Sequence, residues 1–200
     1  MAEMRDNSIQ KDSMRFRRNL ERTGEIIAYE LSKTLDYDDQ EIETPLGNAP
    51  TQLLADQPVI ATILRAGMPL HQGMLNYFDQ AENAFISAYR KHTTAEEFEI
   101  EIEYLSSPSI DEKVLIICDP MLATGGSMVL AYRAMLKRGI PREVHVVATI
   151  ASAEGLEYAR KNFPDGTKFW IGDVDDELTA QAYIVPGLGD AGDLAYGSKV

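Results

Sequence analysis

Short apolar runs separated by stretches of helical period set the plan of this chain. Residues 58–64, 84–88, 114–118, 144–150 and 168–171 read as strands. Val114-Leu115-Ile116-Ile117-Cys118 has no polar member, as expected of a strand buried on both faces of a parallel sheet. Between the strands the period changes. Over 13–35, Phe16, Leu20, Ile27 and Leu31 share one stripe and Arg17, Arg18, Glu21, Arg22 and Lys33 lie elsewhere, which predicts an amphipathic helix with Ser13 as its N-cap. Shorter helices are predicted over 128–137 and 152–162. Residues 98–105 alternate instead: Phe98, Ile100, Ile102 and Tyr104 oppose Glu99, Glu101 and Glu103, a half-buried strand with a solvated acidic face. Strands alternating with helices predict an α/β fold, a mostly parallel central sheet flanked by helices, with any ligand at the carboxyl ends of the strands.

Composition narrows the class. The 200 residues, 44% hydrophobic and 26% charged, suit a single globular domain over 1–200. The polar start and the absence of a long apolar run predict a cytoplasmic protein with no membrane partner. The lone cysteine, Cys118, lies in a buried strand and reads as packing. A formal charge of −13 argues against nucleic acid as a partner, and means that local arginines and a metal ion must meet any polyanionic ligand.

Candidate chemistry gathers after the apolar run of 114–118, where Asp119 is followed by Pro120, Met121, Leu122 and Ala123, then Thr124-Gly125-Gly126-Ser127 opening a helix. Backbone N–H groups of a glycine turn at a helix start bind phosphate, and hydroxyls of Thr124 and Ser127 add donors. An acid beside such a cradle would repel phosphate unless it binds sugar hydroxyls, as acids do in other α/β nucleotide sites. The turn is neither Gly-Lys-Ser/Thr nor Gly-x-Gly-x-x-Gly. Arg65, at the end of the 58–64 strand and followed by Ala-Gly, is placed to grip an anion, and Arg90 follows the 84–88 strand. His71 reads as packing or solvated, His92 as a solvated loop residue rather than one titrating near substrate, and His145 as a core or edge residue. Asp173, Asp175, Asp176 and Glu177 crowd a short loop, but lack the glycine and terminal glutamate of a calcium loop and read as solvated.

Asp-Pro-Met-Leu-Ala-Thr-Gly-Gly-Ser over 119–127 resembles the 5-phosphoribosyl 1-pyrophosphate (PRPP) loop of type I phosphoribosyltransferases, in the version found in uracil phosphoribosyltransferases. The resemblance extends to Leu-Arg-Ala-Gly at 64–67, to Tyr89-Arg90, and to Tyr-Ile-Val-Pro-Gly-Leu-Gly-Asp-Ala-Gly-Asp over 183–193. It implies the type I phosphoribosyltransferase fold, with a small flexible antiparallel arm containing 98–105 and a C-terminal base-binding hood over 182–197. It also implies that Arg65, Arg90, residues 119–127 and Asp190 bind PRPP, and that Ile184, Gly189, Asp190 and Ala191 contact uracil. Here Lys91 and His92 replace the acids the family usually carries, and Leu194 replaces a basic residue.

The implied reaction is uracil plus PRPP giving UMP and pyrophosphate in pyrimidine salvage, with Asp119, Asp190 and Arg65 as catalytic residues and Mg²⁺ arriving with PRPP rather than in a protein cage. The resemblance also brings a homodimer or higher homo-oligomer and GTP as an activator. Two alternatives stand beside it: a phosphoribosyltransferase for another base, opposed only by the C-terminal loop, and an RNA-binding pyrimidine regulator of the same fold, opposed by the charge. A catalytically silent nucleotide-binding module is third.

Overall fold

A computed structural model describes residues 1–92 and 98–199, with 89–92 and 98–101 described by their backbone alone. In chain order the elements are α1 (Ala2–Arg5), α2 (Ser13–Ser32), β1 (Tyr37–Thr44), β2 (Gly47–Leu54), β3 (Val59–Leu64), α3 (Met68–Tyr77), β4 (Glu82–His92), β5 (Phe98–Ser106), β6 (Val114–Cys118), β7 (Met121–Leu122), α4 (Gly126–Met135), β8 (Glu143–Ser152), α5 (Ala153–Asn162), β9 (Lys168–Asp175), β10 (Glu177–Leu178), β11 (Ile184–Val185) and α6 (Ala191–Tyr196).

The central sheet runs β5-β4-β3-β6-β8-β9, with β7 continuing the β6 side of β8. Every pairing in it is parallel except β4 with β5, which forms the antiparallel arm at one edge. Alternate side chains along each strand enter different layers. Ala61, Ile117 and Val146 face Val129, Tyr132 and Phe163 of the α4–α5 layer. Ile60, Ile116, Cys118 and Val147 face Ile27, Leu31, Leu70 and Met74 of the α2–α3 layer. Helices α2 and α3 meet through glycines, since a Cβ on Gly24 would strike the Leu70 carbonyl and one on Gly73 the Glu21 carbonyl. A third cluster joins Met4, Phe16 and Leu20 to Ile150, Ile184, Leu188, Ala191 and Ala195, and so packs the C-terminal segment over the carboxyl end of the sheet.

Several expectations change. The cap of α2 is Asp12, whose side chain accepts from the Arg15 N–H at 3.1 Å, so Ser13 is the first helical residue. Asp175 is buried rather than solvated and pairs with Arg5 across the fold. His71 and His145 are buried, which selects packing for both. The β1–β2 hairpin is additional to the expected elements; β1 is exposed throughout and no residue of β2 is fully buried, so it carries no strong hydrophobic period to read. Thr93, Thr94 and Glu97, which flank the expected anion contact and arm, lie outside the described residues. Among the described residues no helix is long and apolar enough to cross a membrane.

Candidate active site

The site is built at the carboxyl ends of β3, β4 and β6. Strand β6 ends at Cys118, but the chain stays bonded to β8 through its interruption: the Asp119 N–H donates to the Val147 carbonyl at 3.1 Å, and the Ile150 N–H donates to the Pro120 carbonyl at 3.0 Å. This leaves Pro120 buried and turns the half-buried Asp119 side chain onto an open cleft of about 770 Å³. One carboxylate oxygen accepts from the Met121 N–H at 3.3 Å. Burial pushes the carboxyl up to about 7, only partly opposed by that hydrogen bond. Asp119 is therefore an acid whose ionisation is costly, and hydroxyl donors would stabilise its charged form.

The glycine turn beyond it is held from behind. The Ser152 hydroxyl caps α5 by accepting from the Gly155 N–H at 2.8 Å and donates to the Ala123 carbonyl at 2.5 Å. Gly155 lies so close that a Cβ there would strike the same Ala123 oxygen. Gly125 has φ of +77°, and a Cβ on it would lie 2.7 Å from the Gly155 carbonyl. Two glycines thus let the 123–127 turn sit flush on the start of α5, and the first-turn N–H groups of α4 have no partner within the helix. That is the geometry of an anion cradle.

Across the cleft, Arg65 follows β3. Its Nη2 donates to Asp193 Oδ1 and to the Gly197 carbonyl, both at 3.1 Å. Asp190 caps α6 by accepting from the Asp193 N–H at 2.9 Å. Gly189, Asp190 and Ala191 line the same cleft as Asp119.

The fold therefore brings Arg65, Asp119, residues 121–125, Ser127, Gly189, Asp190 and Ala191 onto one cleft. Three expected residues are placed otherwise. Pro120 is buried behind the wall, Gly126 is not on it, and the Ile184 side chain is buried in the cluster with Phe16 and Leu188. Arg90 lies on β4 opposite Ile100, beyond Ser87 and Ala88, which line the cleft. Ser87, Ala88 and Lys199 are wall residues that the sequence did not single out. No local pattern marks a lone lysine or small residues at the irregularity within β4, beside the end of β3; only their placement does. Among the described residues no group of three His, Cys, Asp or Glu side chains converges to hold a metal.

A parallel sheet whose strand ends carry an acidic tip, a glycine turn entering a helix and a hood packed over both is the type I phosphoribosyltransferase architecture. Solved structures agree at the level of fold: a hypoxanthine phosphoribosyltransferase from Staphylococcus aureus superposes with a TM-score of 0.55 at 15% identity, covering 81% of this chain and 76% of that one. The sequence is more specific. A sequence model described as Uracil phosphoribosyltransferase matches residues 1–198, and the chain belongs to that family. Similar relatives include a uracil phosphoribosyltransferase of Porphyromonas gingivalis, 55% identical over 200 residues that span all of this chain and 93% of that protein. Another is that of Thermococcus gammatolerans, 37% identical over 203 residues that span all of this chain and 88% of that protein. The AQ2163 protein of Aquifex aeolicus, 34% identical, superposes with a TM-score of 0.85 over 95% of this chain and 90% of its own.

Proposed function

We propose that this protein transfers the phosphoribosyl group of PRPP to N1 of uracil, releasing pyrophosphate and forming UMP. The observation that supports the reading is the gathering of two segments on one cleft: Asp119 with the glycine turn after it, and Gly189–Ala191. A sugar phosphate fits the first and a flat base the second.

Each segment has a distinct task. The 123–127 turn anchors the 5′-phosphate through backbone N–H groups and the Thr124 and Ser127 hydroxyls. Asp119 accepts from the ribose 2′- and 3′-hydroxyls, and its charge favours the positive centre that develops at C1 as the C1–O bond breaks. Arg65 meets the departing pyrophosphate, which requires it to exchange Asp193 and Gly197 for phosphate oxygens. Arg90 is assigned to the same anion by its match to the PRPP-binding arginine of the family. Mg²⁺ arriving with PRPP would supply further neutralisation of the leaving group beside Arg65.

The hood orients the base. A backbone carbonyl facing N3–H and an N–H facing O4 accept uracil and reject cytosine, since each mismatched buried group costs about 1–3 kcal/mol. Ile184 contributes from behind, as packing under the loop. Asp190 takes the N1 proton as the N1–C1 bond forms. The uncovered β1–β2 hairpin, with Leu46 fully exposed, supports a homo-oligomer, and GTP is the nucleotide to assay as an activator. The test is product stoichiometry: UMP and pyrophosphate should appear one to one from uracil and PRPP with Mg²⁺. Pyrophosphate release without UMP would refute the transfer to uracil.

A further inference from the structure

The base-facing loop is fastened by a residue from the other end of the chain. Arg5, on α1, forms a two-pronged pair with Asp175 at the end of β9, with N–O distances of 2.8 and 3.0 Å. It also donates to Asp173 at 2.9 Å and to the Gly187 carbonyl at 3.1 Å. The Asp175 oxygen that receives the shorter prong also accepts from the Gly187 N–H at 2.8 Å. Both polar groups of Gly187 are thus held by one ion pair. Gly187 has φ of +59°, and a Cβ there would strike the Ile184 carbonyl, so neither the pair nor the turn has slack. Two residues further on, Gly189 lines the cleft.

The arginine itself is fixed. Met4 beside it is buried with Ile184 and Leu188. The buried Gln10 side chain donates to the Met4 and Arg5 carbonyls at 3.3 and 3.1 Å, which pins the turn that presents the guanidinium. A planar fork matched to a carboxylate sets position and angle together, which a lysine does not do. Arg5 is not on the cleft wall.

We propose that Arg5, acting through Asp175 and Gly187, is a positioning residue for base recognition: it sets the height of the Gly189–Ala191 wall above the ribose site. The inference rests on the reading of that wall as the base site. Arg5 holds Asp175 ionised, below the ordinary carboxylate range, so the fastening persists through neutral pH. Displacing a reacting partner by about 1 Å costs up to about a hundredfold in rate. A fastening lost one step away therefore acts on the base and spares the phosphate cradle across the cleft.

The test uses the full chain with Arg5→Lys and Asp175→Asn, which keep volume and most packing, and Arg5→Ala as the harsher variant. Each is measured for Tm, for KM of uracil and of PRPP separately, and for backbone hydrogen exchange over 182–192 without ligand. The expected result is a rise in KM for uracil of about tenfold or more, the scale of one lost charged hydrogen bond. KM for PRPP should stay within about twofold, and exchange in the loop should be faster. Arg5→Lys and Asp175→Asn combined should cost less than the sum of the two, because they share one ion pair. Folded variants whose KM for uracil is unchanged, or whose two KM values rise in parallel, would overturn the proposal. Failure of the underlying reading looks different, because the unaltered enzyme would then show no preference for uracil.

Discussion

Asp119 sits where ionisation is costly and where the chemistry needs a charge. Replacing it by Asn removes the titration, keeps the shape, and keeps an oxygen to accept from the Met121 N–H. Burial raises the carboxyl from 3.8 to about 7. At about 1.4 kcal/mol per unit, a shift of about 3 units corresponds to about 4 kcal/mol as an upper bound. The side chain opens onto the cleft, so water there offsets part of the penalty, and about 2 kcal/mol is the working value.

The sign follows from the two states. Below about pH 4 both folded and unfolded chains carry a protonated Asp119, and the substitution should be neutral. Between about pH 4 and 7 the unfolded chain ionises first, so the native enzyme loses stability as pH rises while the Asn variant does not. Above about pH 7 the variant should keep its full advantage, about 4–8 °C in Tm for a chain of this size. The assay is thermal unfolding of both proteins without ligand from pH 4.5 to 8.5, beside turnover at pH 8. Turnover of the variant should fall by about two to three orders of magnitude, the scale of losing one electrostatic contact in a transition state. A Tm difference independent of pH, or a variant less stable at pH 8, would refute the reasoning. A stabilised variant with normal turnover would remove Asp119 from the mechanism while leaving its burial correct.

Other consequences can be checked alongside. Gly155→Ala pushes a methyl into the Ala123 carbonyl and should raise KM for PRPP more than KM for uracil, with a stability loss of about 1–3 kcal/mol; unchanged PRPP kinetics would show that the turn does not lean on α5. Asp193→Asn weakens the pairing with Arg65, which competes with an anion for the guanidinium, and should lower KM for PRPP by a few fold; a higher KM would mean that Asp193 serves the bound state. Burial holds the His145 imidazole below its usual range, so the unfolded chain takes up its proton first as pH falls through about 6.5, and stability drops there. His145→Gln should flatten that acid limb in a Tm–pH profile; an unchanged limb would assign it to other groups.

What was legible in the sequence was local. The β6 strand, its acidic tip and the glycine turn are contiguous, so one apolar run followed by Asp119 and Thr124–Ser127 carries the strand end, the ligand face and the helix start together. The loop over 183–193 is equally compact. What escaped depends on distant partners. Asp175 looked like one of several solvated acids because Arg5, which accounts for its burial, lies 170 residues earlier. Gly155 reads as an ordinary first-turn helix residue until the fold sets Ala123 against it. The pairing of Arg65 with Asp193, 128 residues apart, has no signal in either segment. The β1–β2 hairpin is hydrogen-bonded to itself and buries neither face, so the alternation that reveals a half-buried strand is absent.

The most direct measurement is nucleotide formation from PRPP and Mg²⁺ with uracil, cytosine, orotate and hypoxanthine supplied in parallel. Product should form with uracil, with rates for the other three lower by two orders of magnitude or more, the discrimination expected when about two buried polar contacts are mismatched. Preferential turnover of another base would keep the phosphate and ribose wall and contradict the base-reading role of Gly189–Ala191. Absence of turnover with all four, in folded protein assayed with and without GTP, would contradict the proposed reaction itself.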